Sequence, residues 1–184
     1  LTGTVPEFLG DLPILEVLGL SKNSLEGTLP AALGNLPLIT LAIDDNMLTG
    51  DLSSLSSIST LAYLYAEDNG FGGSVGQGFF TDLQELVETD LSGNRLEATT
   101  FPLEVFSLPQ LRVLDLSDNE IVGSLPEELP NNNVLEYLNL RLNSISSSIP
   151  SSISNLGALT HLDLEANSLT GDFSEQSIAA LDKL

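Results

Sequence analysis

Apolar and polar positions recur along this chain in one phrase. A first copy reads Leu15-x-x-Leu18-x-Leu20-x-x-Asn23-x-Leu25-x-Gly27-x-Leu29-Pro30, and a later one reads Leu111-x-x-Leu114-x-Leu116-x-x-Asn119-x-Ile121-x-Gly123-x-Leu125-Pro126. The asparagines Asn23, Asn46, Asn69, Asn94, Asn119, Asn143 and Asn167 mark successive copies, spaced by 23, 23, 25, 25, 24 and 24 residues. So regular a beat predicts a stacked solenoid, in which each repeat buries its apolar face only against its neighbours.

Within a repeat, Leu18-x-Leu20 has the two-residue alternation of a short strand with one buried face. The asparagine that follows turns the chain. Its amide both donates and accepts, so it can satisfy backbone groups that the turn would leave unpaired, and stacked copies predict a continuous ladder of such amides. Gly27 permits a tight or positive-φ backbone. Pro30 ends a second extended segment and can pre-set φ for a helical turn. Leu33 and Leu36, three residues apart, then suit a 3₁₀ or short helical return.

This pattern is similar to that of the leucine-rich repeat family. The half-repeat at Leu1–Pro6, Leu25–Pro30 and Ile121–Pro126 resembles the plant-type subclass. The resemblance implies an α/β fold: a right-handed, curved superhelical solenoid with a parallel β-sheet on its concave face and 3₁₀ or short helices on its convex side. It covers residues 1–184 as one domain of about seven full repeats with partial repeats at both ends. It also implies kinship with the ectodomains of receptor-like proteins and kinases. Leu1–Pro6 reads as the tail of a preceding repeat and Ile178–Leu184 as the approach to a next one, so a longer parent array is expected.

Departures from the phrase cluster in the middle. Ala66 stands where Leu20 belongs and Thr89 where Leu18 belongs, and Tyr63, Phe71, Phe79 and Phe80 are candidates to refill the space. Ala98 and Ser147 replace the glycine, Thr99-Thr100 carries an extra residue, and Pro130-Asn-Asn-Asn133 replaces a helical return. The middle of the arc is therefore expected to be its least regular part.

Charge changes the picture more than size does. The chain has 26 Asp and Glu against five Lys and Arg (Lys22, Arg95, Arg112, Arg141 and Lys183), for a formal charge of −21. Without clustered basic residues, neither nucleic acid nor an anionic membrane surface is an expected partner. No apolar run approaches the roughly 18 residues of a membrane span, and no direct membrane contact by this segment is expected. The absence of Cys removes disulfides, zinc–thiolate sites and cysteine nucleophiles together. It is equally compatible with a reducing cytosol and a disulfide-free secreted segment.

The acids are not spread evenly. Positions flanking the strand leucines, and the two just after the strand, are expected to form the concave surface. Ten of those 28 positions are carboxylates, against 26 acids in all 184 residues. The candidate ligand-binding residues are Asp44, Asp45, Glu67, Asp68, Glu88, Asp90 and Asp115, with Tyr63, Tyr65 and Tyr137 as aromatic anchors. Arg141 and His161 complete the set, with Arg141 and Leu142 breaking the acidic column and bounding the site. Asp90 and Asp115 on neighbouring strands, about 4.8 Å apart, would repel by roughly 0.8 kcal/mol even in bulk water. Asp between strand leucines is also common in the family without a ligand, and a solvated acidic face remains the competing reading.

Catalysis finds little footing. His161 is the only histidine, no nucleophile elbow precedes a serine, and Gly70-Phe-Gly72-Gly73 lacks the Lys-Ser and helix of a phosphate loop. No cofactor and no metal site are expected. Asn-x-Ser/Thr is absent as well, since Asn23, Asn143 and Asn167 are each followed directly by Ser. That departs from the glycosylated ectodomains the resemblance brings to mind and leaves an intracellular origin open. The expected function is non-catalytic recognition of a protein or basic peptide by the acidic, Tyr-bearing concave face of an extracellular or cell-surface parent protein. The alternative is a structural, adhesive or scaffold array whose acidity serves solubility or cation binding. The oligomeric state is not specified.

Overall fold

The computed structural model describes residues 1–76 and 78–171. Seven three-residue strands, Val17–Gly19, Thr40–Ala42, Tyr63–Tyr65, Glu88–Asp90, Val113–Asp115, Tyr137–Asn139 and His161–Asp163, form one parallel sheet in sequence order. The register is unbroken: Leu18, Leu41, Leu64, Thr89, Leu114, Leu138 and Leu162 stand side by side as a single inward column. Ile178–Leu184, with Lys183, lie outside the described residues.

The second extended segments form two further parallel sheets. Thr2–Thr4, Ser24–Thr28, Met47–Gly50 and Gly70–Phe71 make one, and Glu97–Ala98, Glu120–Ser124, Ser144–Ser147 and Ser168–Leu169 make the other. Between them the ladder narrows to an isolated bridge from Ser74 to Glu97, with the Arg95 N–H donating to the Phe71 carbonyl at 2.8 Å. The break falls where the repeats depart from the phrase. Among the described residues, five 3₁₀ returns, Glu7–Asp11, Ala31–Asn35, Ser53–Ser57, Leu103–Ser107 and Ser151–Asn155, lead from the second segments back toward the concave sheet. Pro6, Pro30, Pro102 and Pro150 each sit one residue before such a return, with φ between −62° and −72°, rather than inside its first turn. After Pro130 no return forms. Instead the buried Asn132 donates from Nδ2 to the Phe106 carbonyl at 2.8 Å and accepts the N–H groups of Val134 and Leu135, each at 2.8 Å.

The core runs the length of the stack beneath the concave sheet. Where Ala66 and Thr89 shrink it, Phe71 and Phe80 are fully buried and Phe79 meets Phe80 edge-on, with centroids 4.8 Å apart. Tyr63 is not used for this refilling, being 36% exposed.

The asparagine ladder is continuous. Asn46, Asn69, Asn94, Asn119, Asn143 and Asn167 each accept at Oδ1 the N–H of the apolar residue two places after the preceding repeat's asparagine, at 2.9–3.0 Å. Asn23 makes the equivalent contact to the backbone nitrogen of Leu1. The repeat glycine has an equally local reason. Gly50 has φ +87°, and a Cβ there would lie 2.7 Å from Thr28 Cγ2 of the repeat before. Ser147 keeps that left-handed backbone at φ +70°, whereas Ala98 does not adopt it.

Candidate functional site

Because each short strand points its leucine inward, its two flanking residues point out from the concave sheet. Register then fixes the neighbours. Tyr63 lies beside Glu88, Tyr65 beside Asp90, and Asp90 beside Asp115. Tyr137 lies beside His161, and their rings stack in parallel with centroids 4.3 Å apart. Tyr63, Tyr65, Glu67, Glu88 and Asp90 thus form one neighbourhood. The Tyr137–His161 stack begins three strands from Tyr65, about 14 Å along the arc at the ordinary strand spacing.

Two expected contact residues are not surface groups. Asp44 is 7% and Asp115 9% exposed. Asp44 accepts the Ser21 hydroxyl of the preceding repeat. Asp115 Oδ1 accepts the Ser117 N–H and hydroxyl at 2.9 and 2.6 Å, and its Oδ2 accepts Asn139 Nδ2 at 2.8 Å. Asp90 takes Ser92 in the same way, at 2.9 and 2.6 Å. Asn139 and Asp163 each accept the N–H two residues on. This is the Asx turn, in which a short polar side chain stands in for a backbone carbonyl. The column between the strand leucines therefore ends its strands, and Asp44 and Asp115 belong to the framework.

The same burial shapes the charges that remain. Glu67 is pushed up to about 7, chiefly because burial disfavours its charged form, with Asp90, Asp44 and Asp68 adding repulsion. Its Oε2 is buried without a hydrogen-bond partner among the described residues. Burial likewise raises Asp90, with Asp115 and Asp68 contributing. It raises the Tyr65 hydroxyl, with Glu88 beside it, and the Tyr137 hydroxyl, with Asp115 beside it. Asp45 and Asp68 are exposed, each in a left-handed turn at φ 52°.

Cations do little to offset this. Lys22 pairs with Asp45 at 3.1 Å, Arg112 with Glu136 at 3.0 Å, and Arg141 with Glu165. Arg141 thus bounds the acidic stretch as half of an ion pair. Sequence reasoning passed over a further row. Ile39, Ala62 and Val87, one residue ahead of their strands, also reach the surface, and Ile39 is 39% exposed. Leucine alternation does not flag them, because they lie in the bend before the alternation starts.

Two family models described as leucine rich repeat match this chain, over residues 15–36 and 109–169. The chain belongs to the leucine-rich repeat family. Receptor-like protein 39 of Arabidopsis thaliana is 32% identical over 130 residues, which is 70% of this leucine-rich repeat chain and 15% of that relative. The Arabidopsis receptor kinase HAESA, solved with the peptide hormone IDA and the co-receptor SERK1, superposes with a TM-score of 0.90 at 31% identity. That match covers 98% of this chain and 30% of HAESA. A plant ice-binding protein superposes at 0.79 with 30% identity, covering 94% of this chain and 55% of its own. The chain thus spans only a small part of the length of its curated receptor-like relative.

Proposed function

We propose that this leucine-rich repeat segment is a non-catalytic recognition surface for a basic peptide or protein, within an extracellular or cell-surface parent of the receptor-like kind. The observation that carries the reading is the neighbourhood of Tyr63, Tyr65, Glu67, Glu88 and Asp90 on an uninterrupted seven-stranded sheet. The sheet is preformed, so binding needs little reorganisation of its backbone. The tyrosines offer apolar area with a hydroxyl at the tip. The carboxylates attract a basic partner over distance and speed its encounter. A neighbour of this fold is solved with a peptide hormone bound, which supports a peptide as the class of partner.

A structural role is the second reading, favoured by Asp90, Asp115 and Asp163, whose carboxylates accept backbone N–H groups of their own turns. Titration calorimetry with a library of basic peptides, at low and moderate salt, separates the two. The expected result is saturable binding that persists at moderate salt and is lost in the Tyr63→Ala/Tyr65→Ala variant while its melting temperature holds. Weak binding erased by salt and indifferent to both tyrosines would favour the structural role. Ice-recrystallisation assays on the same samples check the property named for the ice-binding neighbour.

A further inference from the structure

Asn69 is the only ladder asparagine followed by glycine; the others precede Ser24, Met47, Arg95, Glu120, Ser144 and Ser168. An asparagine loses its amide when the backbone nitrogen of the next residue attacks Cγ, and a side chain on that residue crowds the approach. Glycine removes the crowding and frees the backbone to reach the geometry. In the folded chain the preceding repeat holds both reacting groups. Asn69 Oδ1 accepts the Leu48 N–H at 3.0 Å, and Nδ2 donates to the Ile43 carbonyl at 3.0 Å and to the Glu67 carbonyl of its own turn at 3.1 Å. Gly70 opens the strand Gly70–Phe71, which pairs in parallel with Thr49 and Gly50. That strand is only two residues long and lies at the edge of its sheet. Gly72 and Gly73 follow it, where the ladder narrows to the Ser74–Glu97 bridge. Short ladders and glycine-rich backbone open at a lower free energy than the fold as a whole.

We infer that Asn69–Gly70 is a deamidation site, closed while the repeat of Asn69 is joined to that of Asn46 and reactive when the two part locally. The Gly70 nitrogen bonds to Asn69 Cγ and gives up its proton, Nδ2 takes a proton and leaves as ammonia, and a succinimide ring results. Water then adds at one of the two ring carbonyls, breaks its C–N bond and leaves aspartate or isoaspartate at position 69. The product does not re-enter the ladder as asparagine did. A carboxylate has no N–H to give the Ile43 and Glu67 carbonyls, and it adds a negative charge beside Glu67 and Asp68. Isoaspartate also runs the backbone through the side chain, one carbon longer. That displaces the fully buried Phe71 and takes its N–H away from Asn94 Oδ1. Opening thus permits the reaction, and the product holds the seam apart. The modification is a one-way record of how often that seam has opened.

The test incubates the chain at mildly alkaline pH, folded and unfolded in urea, and locates amide loss and isoaspartate by peptide mass spectrometry. In urea Asn69 is expected to react at least about tenfold faster than Asn23, Asn143 or Asn167, each followed by Ser. Gly70→Ser, measured in urea where folding plays no part, should bring it down to their rate. Folding should slow Asn69 by at least about tenfold, because only the opened fraction reacts. Urea too dilute to unfold the chain should already speed the reaction, since local opening exposes the site. Chains modified at Asn69, separated by their added charge, and the Asn69→Asp variant should both melt below the parent by circular dichroism. An Asn69 that in urea reacts no faster than its Ser-followed counterparts, or that reacts equally fast folded and unfolded, overturns the inference. So does a folded-state rate that rises only through the global unfolding transition, or modified chains that melt with the parent.

Discussion

Asn94 donates from Nδ2 to the backbone carbonyl of Ala66 at 2.9 Å, reaching back 28 residues into the preceding repeat. The same amide donates to the carbonyls of Leu91 and Ser92 at 3.2 and 3.0 Å, and its Oδ1 accepts the Phe71 N–H at 3.0 Å. One buried side chain thus closes its own turn and fastens the repeat to its neighbour on both donor and acceptor sides.

Replacing Asn94 by Ala leaves the Phe71 N–H and the Ala66 carbonyl without this partner in a buried setting. The expected cost is about 2–4 kcal/mol, because unsatisfied buried backbone groups carry their full desolvation penalty. Chemical denaturation measures it. A loss near zero would show that water enters the ladder at this rung.

The repeat glycine and its replacement can be tested in opposite directions. Gly50→Ala forces a Cβ toward Thr28 at a left-handed φ, and should cost about 1–3 kcal/mol. Ser147→Gly relieves a side chain already held at φ +70°, and should gain up to about 1 kcal/mol. Melting curves of the two variants should therefore shift to opposite sides of the parent. Matching shifts would mean that backbone strain is not what distinguishes these positions.

Glu67 gives the fold a pH dependence of defined sign. Its carboxyl titrates near 7 when folded and near 4.5 as an ordinary glutamate, so the folded state holds the proton more tightly. Its contribution is intact below the ordinary value and is lost as pH rises through about 7. Because the side chain is only half-buried, solvent screening reduces the effect to about 1 kcal/mol. Glu67→Gln should accordingly be more stable than the parent at pH 8 and nearly equal to it at pH 4. Asp90, raised by the same burial, adds to the parent's slope in the same direction. Denaturation midpoints across that range decide it, and a variant equally stabilised at both ends would assign the gain to something other than ionisation.

The strands, the turns and the asparagine ladder were legible because each repeat places the same residue in the same surroundings, so periodicity alone carries the contact. The rings that refill the core were legible too, since Ala66 and Thr89 leave a space and Phe71 and Phe80 stand nearby to fill it. The state of the acids was not. Whether Asp44 and Asp115 face solvent depends on the Ser21 and Asn139 side chains of adjoining repeats, contacts that no single repeat encodes. The row at Ile39, Ala62 and Val87 escaped for a different reason. It lies in the bend before each strand, where leucine alternation says nothing about direction.

Each ladder asparagine bonds to backbone atoms, which every residue type except proline supplies alike. This ladder is therefore indifferent to what the outward positions carry, although Asp44 and Asp115 add cross-repeat bonds of their own to Ser21 and Asn139. A surface letter such as Tyr63 or Ile39 can be rewritten without renegotiating the ladder beneath it.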